Sequence, residues 1–198
     1  LNIKNRNVLK GANLLSANLT GGYEYSYNNN LSPNFLEKFY LLSRNISGNI
    51  NFILPKFILP FPIKGASKSN QPTTTLTLGS SLQDRINYFK LINTVFSINY
   101  NWHETEKKQW NVVPAFMNFI SLPYTSDSFK HRLATNSFLE KSYQEAFIEG
   151  ERINFIYSNQ IRDKKTDLFY LKLGLEEAGG LVSGLSKMGI VNKDIHFA

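Results

Sequence analysis

Residues 44–54, RNISGNINFIL, alternate with a period of two. Ile46, Ile50, Phe52 and Leu54 take even positions, while Asn45, Ser47, Asn49 and Asn51 take odd ones. Such spacing puts apolar side chains on one face of a β-strand and asparagine and serine on the other. The arithmetic repeats along the chain. Leu76, Leu78 and Leu82 alternate with Thr75, Thr77, Gly79 and Ser81. Phe96, Ile98, Tyr100 and Trp102 alternate with Ser97, Asn99 and Asn101. Leu19, Tyr23 and Tyr25 oppose Thr20 and Glu24; Phe155 opposes Asn154; Leu171 and Leu173 oppose Lys172 and Gly174. Segment 110–122 is mixed: Trp110, Val112, Phe116, Ile120 and Leu122 share one parity, and Val113, Met117 and Phe119 the other.

The pattern predicts long strands over 13–27, 39–54, 73–84, 90–104, 109–122, 151–162 and 167–177, with a stub at 1–7. Short polar turns (104–109, 162–167) alternate with longer links, and no βαβ repeat appears. The expected fold is all-β, an antiparallel up-and-down meander. Residues 125–150 break the alternation. Ser137 to Glu140 has the capping-box form, and Phe138, Tyr143 and Phe147 follow at helical spacing. This segment reads as a long loop, irregular or carrying one short helix.

Two solvents suit such strands. A soluble sandwich or calyx turns the apolar face inward; a membrane barrel turns it to lipid, with Asn, Ser, Thr and Gly facing a wet lumen. Strand lengths of about 12–16 residues exceed the usual ~5–6 of globular proteins. Tyr23, Tyr25, Tyr27, Tyr100, Trp102 and Trp110 gather near strand ends, as in the aromatic girdles of barrels. Asparagine-rich faces are costly in a dry core. These features favour lipid, which makes Leu19, Tyr23, Ile46, Ile50, Phe52, Leu76, Leu78, Phe96, Ile98, Tyr100, Phe155, Leu171 and Leu173 the expected lipid-facing set.

Composition narrows the functions. Cysteine is absent from the 198 residues, which removes disulfides, zinc–thiolate sites and cysteine nucleophiles. Net charge is +7, but the basic residues are dispersed and no nucleic-acid motif interleaves them with aromatics. The start, Leu1-Asn2-Ile3-Lys4, has no basic region followed by an apolar core. No apolar run reaches the roughly 18 residues of a spanning helix. His103, His131 and His196 lie far apart without metal-ligand spacing. No P-loop, dinucleotide fingerprint or nucleophile elbow occurs. Glu104/Glu106, Glu149/Glu151 and Glu176/Glu177 read as solvated charge. No catalytic residue, metal or cofactor is expected, and no enzyme.

The segment Arg6-Asn7-Val8-Leu9-Lys10-Gly11-Ala12-Asn13-Leu14 has the form of a specific turn. A Phe/Pro cluster follows in order (Phe52, Pro55, Phe57, Pro60, Phe61, Pro62), then a restart at Pro72-Thr73-Thr74 with Leu76, Leu78 and Gly79. Later come Asn101-Trp102, Val113-Pro114 and Glu177-Ala178-Gly179. This set resembles the first half of the barrel in the BamA/TamA superfamily, most closely the lipoprotein TamL-type branch found in Bacteroidota. The family motif positions are then Arg6, Asn7, Gly11, Pro55, Pro60, Pro62, Gly79, Trp102, Pro114 and Gly179.

The resemblance implies a sixteen-stranded outer-membrane β-barrel, of which about seven or eight strands are present here, without POTRA domains. It implies a non-enzymatic role in inserting or assembling outer-membrane proteins in a Gram-negative envelope. The partners it implies are outer-membrane lipid and lipopolysaccharide, client outer-membrane proteins and a TamB-like periplasmic partner. Turns near 8–12, 55–72, 104–109 and 162–167 would then be periplasmic, and links near 28–38, 84–90, 123–150 and 178–198 external. A passive channel or adhesion barrel and a soluble lipocalin-like module are the alternatives. In residues 51–65, NFILPKFILPFPIKG, Pro55 would end ladder pairing where the chain leaves the sheet. Phe57 to Ile63 would lie at the interface, with Lys56 and Lys64 reaching headgroups.

Overall fold

The alternation is realised as one antiparallel sheet of eight strands in sequential order, open between its first and last strands. The computed structural model describes residues 1–8, 10–28, 38–58, 72–159 and 168–180. The strands are β1 (Asn2–Arg6), β2 (Leu14–Tyr27), β3 (Phe39–Leu54), β4 (Thr73–Arg85), β5 (Phe89–Thr105), β6 (Lys108–Thr125), β7 (Ala146–Ser158) and β8 (Tyr170–Ala178). All-β, up-and-down topology is as the alternation predicts. Pro60, Pro62 and most of the links at 28–38, 55–72, 162–167 and 178–198 lie outside the described residues.

Register keeps parity through the middle of the sheet. Leu15, Phe52, Leu76, Ile98 and Ala115 form one cross-strand row, and Ala17, Ile50, Leu78, Phe96 and Met117 the next. Because directly paired residues share a face, one face is apolar from β2 to β6. The opposite face carries Asn51, Thr77, Asn99, Asn111 and Asn154.

The mixed strand 110–122 needs correction. Register shifts on both sides of Pro114 mark a β-bulge. Proline has no backbone donor for the ladder, so a bulge is where a strand accepts it. The added residue reverses parity. Trp110 and Val112 share the apolar face with Ala115, Met117 and Phe119, while Val113, Phe116 and Ile120 face the other way. The expected grouping of Trp110 with Phe116 and Ile120 is therefore wrong.

The loop also differs from expectation. It holds two helices, α1 (Asp127–Thr135) and α2 (Ser137–Ser142). Ser126 caps α1, its hydroxyl accepting from Phe129 N at 3.3 Å. Asn136, not Ser137, caps α2, accepting from Phe138 N and Leu139 N. Phe147 belongs to β7, which starts earlier than expected because its ring packs on Phe119 at 4.6 Å. Phe129 lies between Phe89 and Tyr143, at 5.0 and 5.2 Å. Register places Phe89 on the polar face, so α1 is anchored there.

No second layer covers the sheet among the described residues. Leu54, Phe89, Val113 and Phe129 are the buried large apolar side chains there. Leu19 (52%), Ile50 (48%), Leu78 (52%) and Leu173 (57%) are left open to the surroundings.

Candidate membrane-facing surface

The apolar face is a band with two distinct edges. At the edge of the short turns, aromatic side chains from successive strands touch. Trp102 stacks on Trp110 at 6.2 Å, and Trp110 meets Phe155 at 4.8 Å. Phe57 reaches back to pack edge-on against Tyr100 and Trp102, at 5.9 and 5.5 Å.

Thr74 builds this return. Its buried hydroxyl donates to Lys56 O at 2.7 Å and accepts from Ile58 N at 3.0 Å. Tyr100 Oη donates to Ile58 O at 2.6 Å. The chain after Pro55 thus folds against the aromatic edge, as far as Ile58. Below it, Trp110 Nε1 donates to Glu104 at 2.9 Å.

At the opposite edge lies a polar row. Tyr23, Arg44, Asp84, Lys90 and Tyr124 are successive register partners on the same face as the leucines. Arg44 donates to Asp84 Oδ2 through Nε at 2.8 Å and Nη2 at 2.6 Å, and Lys90 Nζ stands 3.9 Å away. Beyond that row Tyr27 packs on Phe39 at 5.2 Å. From Thr74 to Asp84, at about 3.4 Å per residue, β4 measures about 34 Å. At the tilt of about 40° usual in membrane barrels, that length would span about 26 Å, against an apolar belt of ~25 Å.

Side-chain hydrogen bonds link the polar face. Thr77 donates to Asn51 at 2.9 Å, Gln109 to Asn101 at 3.0 Å and Asn111 to Asn99 at 3.0 Å. Arg152 makes a two-point pair with Glu176, at 2.8 and 2.9 Å. Among the described residues, Asn93 and Asn118 have carbonyl oxygens that no protein group satisfies.

No family model matches this chain, and neither does any curated protein or solved structure.

The structure sorts the expected residues. Every residue in the expected lipid-facing set falls on the apolar face by register. Among the motif positions, Asn7 shapes the β1–β2 turn: its φ is 70°, and its side chain accepts from Ala12 N at 3.1 Å. Gly11 is not left-handed; among the described residues of that turn Asn7, Lys10 and Ala12 are. Gly179 is left-handed at φ 88° and donates to Glu149 O at 2.8 Å. Gly79 sits beside Asn49 with room for a Cβ at ordinary contact. The described ones among these positions are spread over separate turns and strands and form no common site.

Sequence reasoning missed the Arg44–Asp84–Lys90 row. The signal was present, since even parity carried past Ile46 and Leu82 reaches Arg44 and Asp84. No cluster of metal-binding side chains occurs among the described residues.

Proposed function

We propose that this chain is part of an outer-membrane β-barrel, its apolar face against lipid and its asparagine face toward a wet lumen. The observation that carries this reading is the uncovered apolar band, edged by aromatics on one side and by a tyrosine-flanked charged row on the other. A soluble protein leaving such a band open would aggregate, because contiguous exposed apolar patches rarely exceed a few hundred Å². The open sides of the sheet require pairing, since unpaired backbone groups are not tolerated in hydrocarbon. Further strands of the barrel supply it.

Within that class we propose a role in assembly or insertion of outer-membrane proteins, supported by the resemblance of the Arg6–Leu14 segment, the Phe/Pro cluster from Phe52 to Pro62 and Val113-Pro114 to the sequences of the BamA/TamA superfamily. Client strands would pair by β-augmentation at the seam between the first and last strands of the whole barrel. Detergent phase partitioning tests the membrane reading; recovery in the aqueous phase overturns it. Depletion of the full-length protein, followed by quantification of unrelated outer-membrane proteins, tests the assembly role. Unchanged levels favour a passive channel.

A further inference from the structure

On the apolar face, the row after Arg44–Asp84–Lys90 is Ile46–Leu82–Ile92, and the next is Gly48–Ser80–Thr94. Small side chains in that last row leave a groove of about 410 Å³, walled by Leu19, Ile50 and Leu78. Its size lies in the usual range for ligand sites, roughly 300–1,000 Å³. Ser80 and Thr94 hydroxyls bond each other at 3.1 Å. That bond spends one of the two hydroxyl protons, and the rest of the groove surface is largely apolar, which suits hydrocarbon. Along β3 the floor lies about 13 Å from the charged row, at about 3.3 Å per residue.

That charged row is unbalanced. One carboxylate stands between two cations, leaving a net positive charge. Asp84 is 4% exposed, whereas the Arg44 and Lys90 side chains are each 42% exposed. The carboxylate thus works as an inner brace, holding both cations at the edge of the band. Arg44 spends Nε and Nη2 on Asp84, which leaves Nη1 donors for an anion. Arginine and lysine together suit phosphate oxygens. Tyr23 and Tyr124 flank the pair, and amphipathic rings favour headgroup depth.

We propose that this rim binds a membrane lipid with an anionic, phosphorylated headgroup, the phosphate on Arg44 and Lys90 and one acyl chain in the groove floored by Gly48, Ser80 and Thr94. The inference rests on the membrane reading and adds to it a binding site and the headgroup charge that the site selects.

Native mass spectrometry of the full chain in dodecyl maltoside tests the proposal. The probes are phosphorylated lipid A, dipalmitoyl phosphatidylglycerol, dipalmitoyl phosphatidylcholine and inorganic phosphate. The anionic lipids are expected to be retained about tenfold better than phosphatidylcholine, with no retention of inorganic phosphate. R44Q/K90Q should erase that preference. K90Q alone keeps the Arg44–Asp84 pair and should reduce it, which covers a folding failure of the double variant. G48L fills the groove without a backbone clash, because a Cβ there meets Leu19 Cδ1 at 3.6 Å, and it should weaken every acylated probe. Equal retention of anionic lipid and phosphatidylcholine, or a preference that survives K90Q and R44Q/K90Q, overturns the site. A chain that stays in the aqueous phase of a detergent partition overturns the membrane reading instead.

Discussion

The ring of Phe116 lies over the α-carbon of Gly150. A Cβ built on that glycine would stand 2.7 Å from Phe116 Cζ and would also strike the Glu177 carbonyl. Phe116 follows the Pro114 bulge, so the bulge aims this ring at the neighbouring strand, where Arg152 lies 5.7 Å from its centre. Gly150→Ala is predicted to destabilise the fold by about 1–3 kcal/mol, the usual cost of overpacking. Phe116→Ala should recover only part of that loss in the double variant, because the Glu177 contact remains. Thermal unfolding followed by circular dichroism reads both; full additivity would show that the two residues do not meet.

Depth on the apolar face makes a second test. Leu78 and Thr77 are neighbours on β4 that face opposite ways. Leu78→Arg is expected to cost about 2–4 kcal/mol in lipid, the range for a cation near a bilayer midplane. Thr77→Arg should be tolerated, since it faces the proposed lumen. Folding yield into lipid vesicles, read as heat-modifiable gel mobility, separates them. Equal yields would contradict the assigned lipid side.

Thr74 anchors the return of residues 55–58, so Thr74→Val removes a buried hydroxyl while keeping the shape. The Lys56 carbonyl and the Ile58 amide each lose a partner, at a cost of about 1–3 kcal/mol. Loss should be local. Tryptic cleavage after Lys56 is expected to accelerate while the rest of the sheet stays protected. Unchanged cleavage would mean that Phe57 packing alone holds the segment.

The β1–β2 turn holds Ala12 at φ 55°, a left-handed conformation that side chains resist. Ala12→Gly is predicted to stabilise by about 0.5–1 kcal/mol, less than the full relief because glycine also loosens the unfolded chain. A rise in melting temperature checks it, and a fall would show that the strain is absent.

Strand identity, most boundaries within three residues (β7 begins five earlier) and the face of each expected lipid-facing residue were legible in the chain, because period-two alternation is a local property. Leu76 and Leu78 share a face with Ile50 whatever else the fold does, provided parity is kept. Parity failed at Pro114, where the added residue is defined only against the opposing strands. Pairing, not propensity, placed the switch. A short helix near Ser137 was legible, but α1 was hidden for a similar reason. Ser126 and Asn136 cap α1 and α2, yet Phe129 is buried only because Phe89 and Tyr143 arrive from β5 and from beyond α2. The Arg44–Asp84–Lys90 row joins residues far apart in sequence. Each looks like an ordinary surface charge until antiparallel register sets the three side by side. Alternation acts between neighbours along one strand, whereas bulges, rows and grooves exist only between strands.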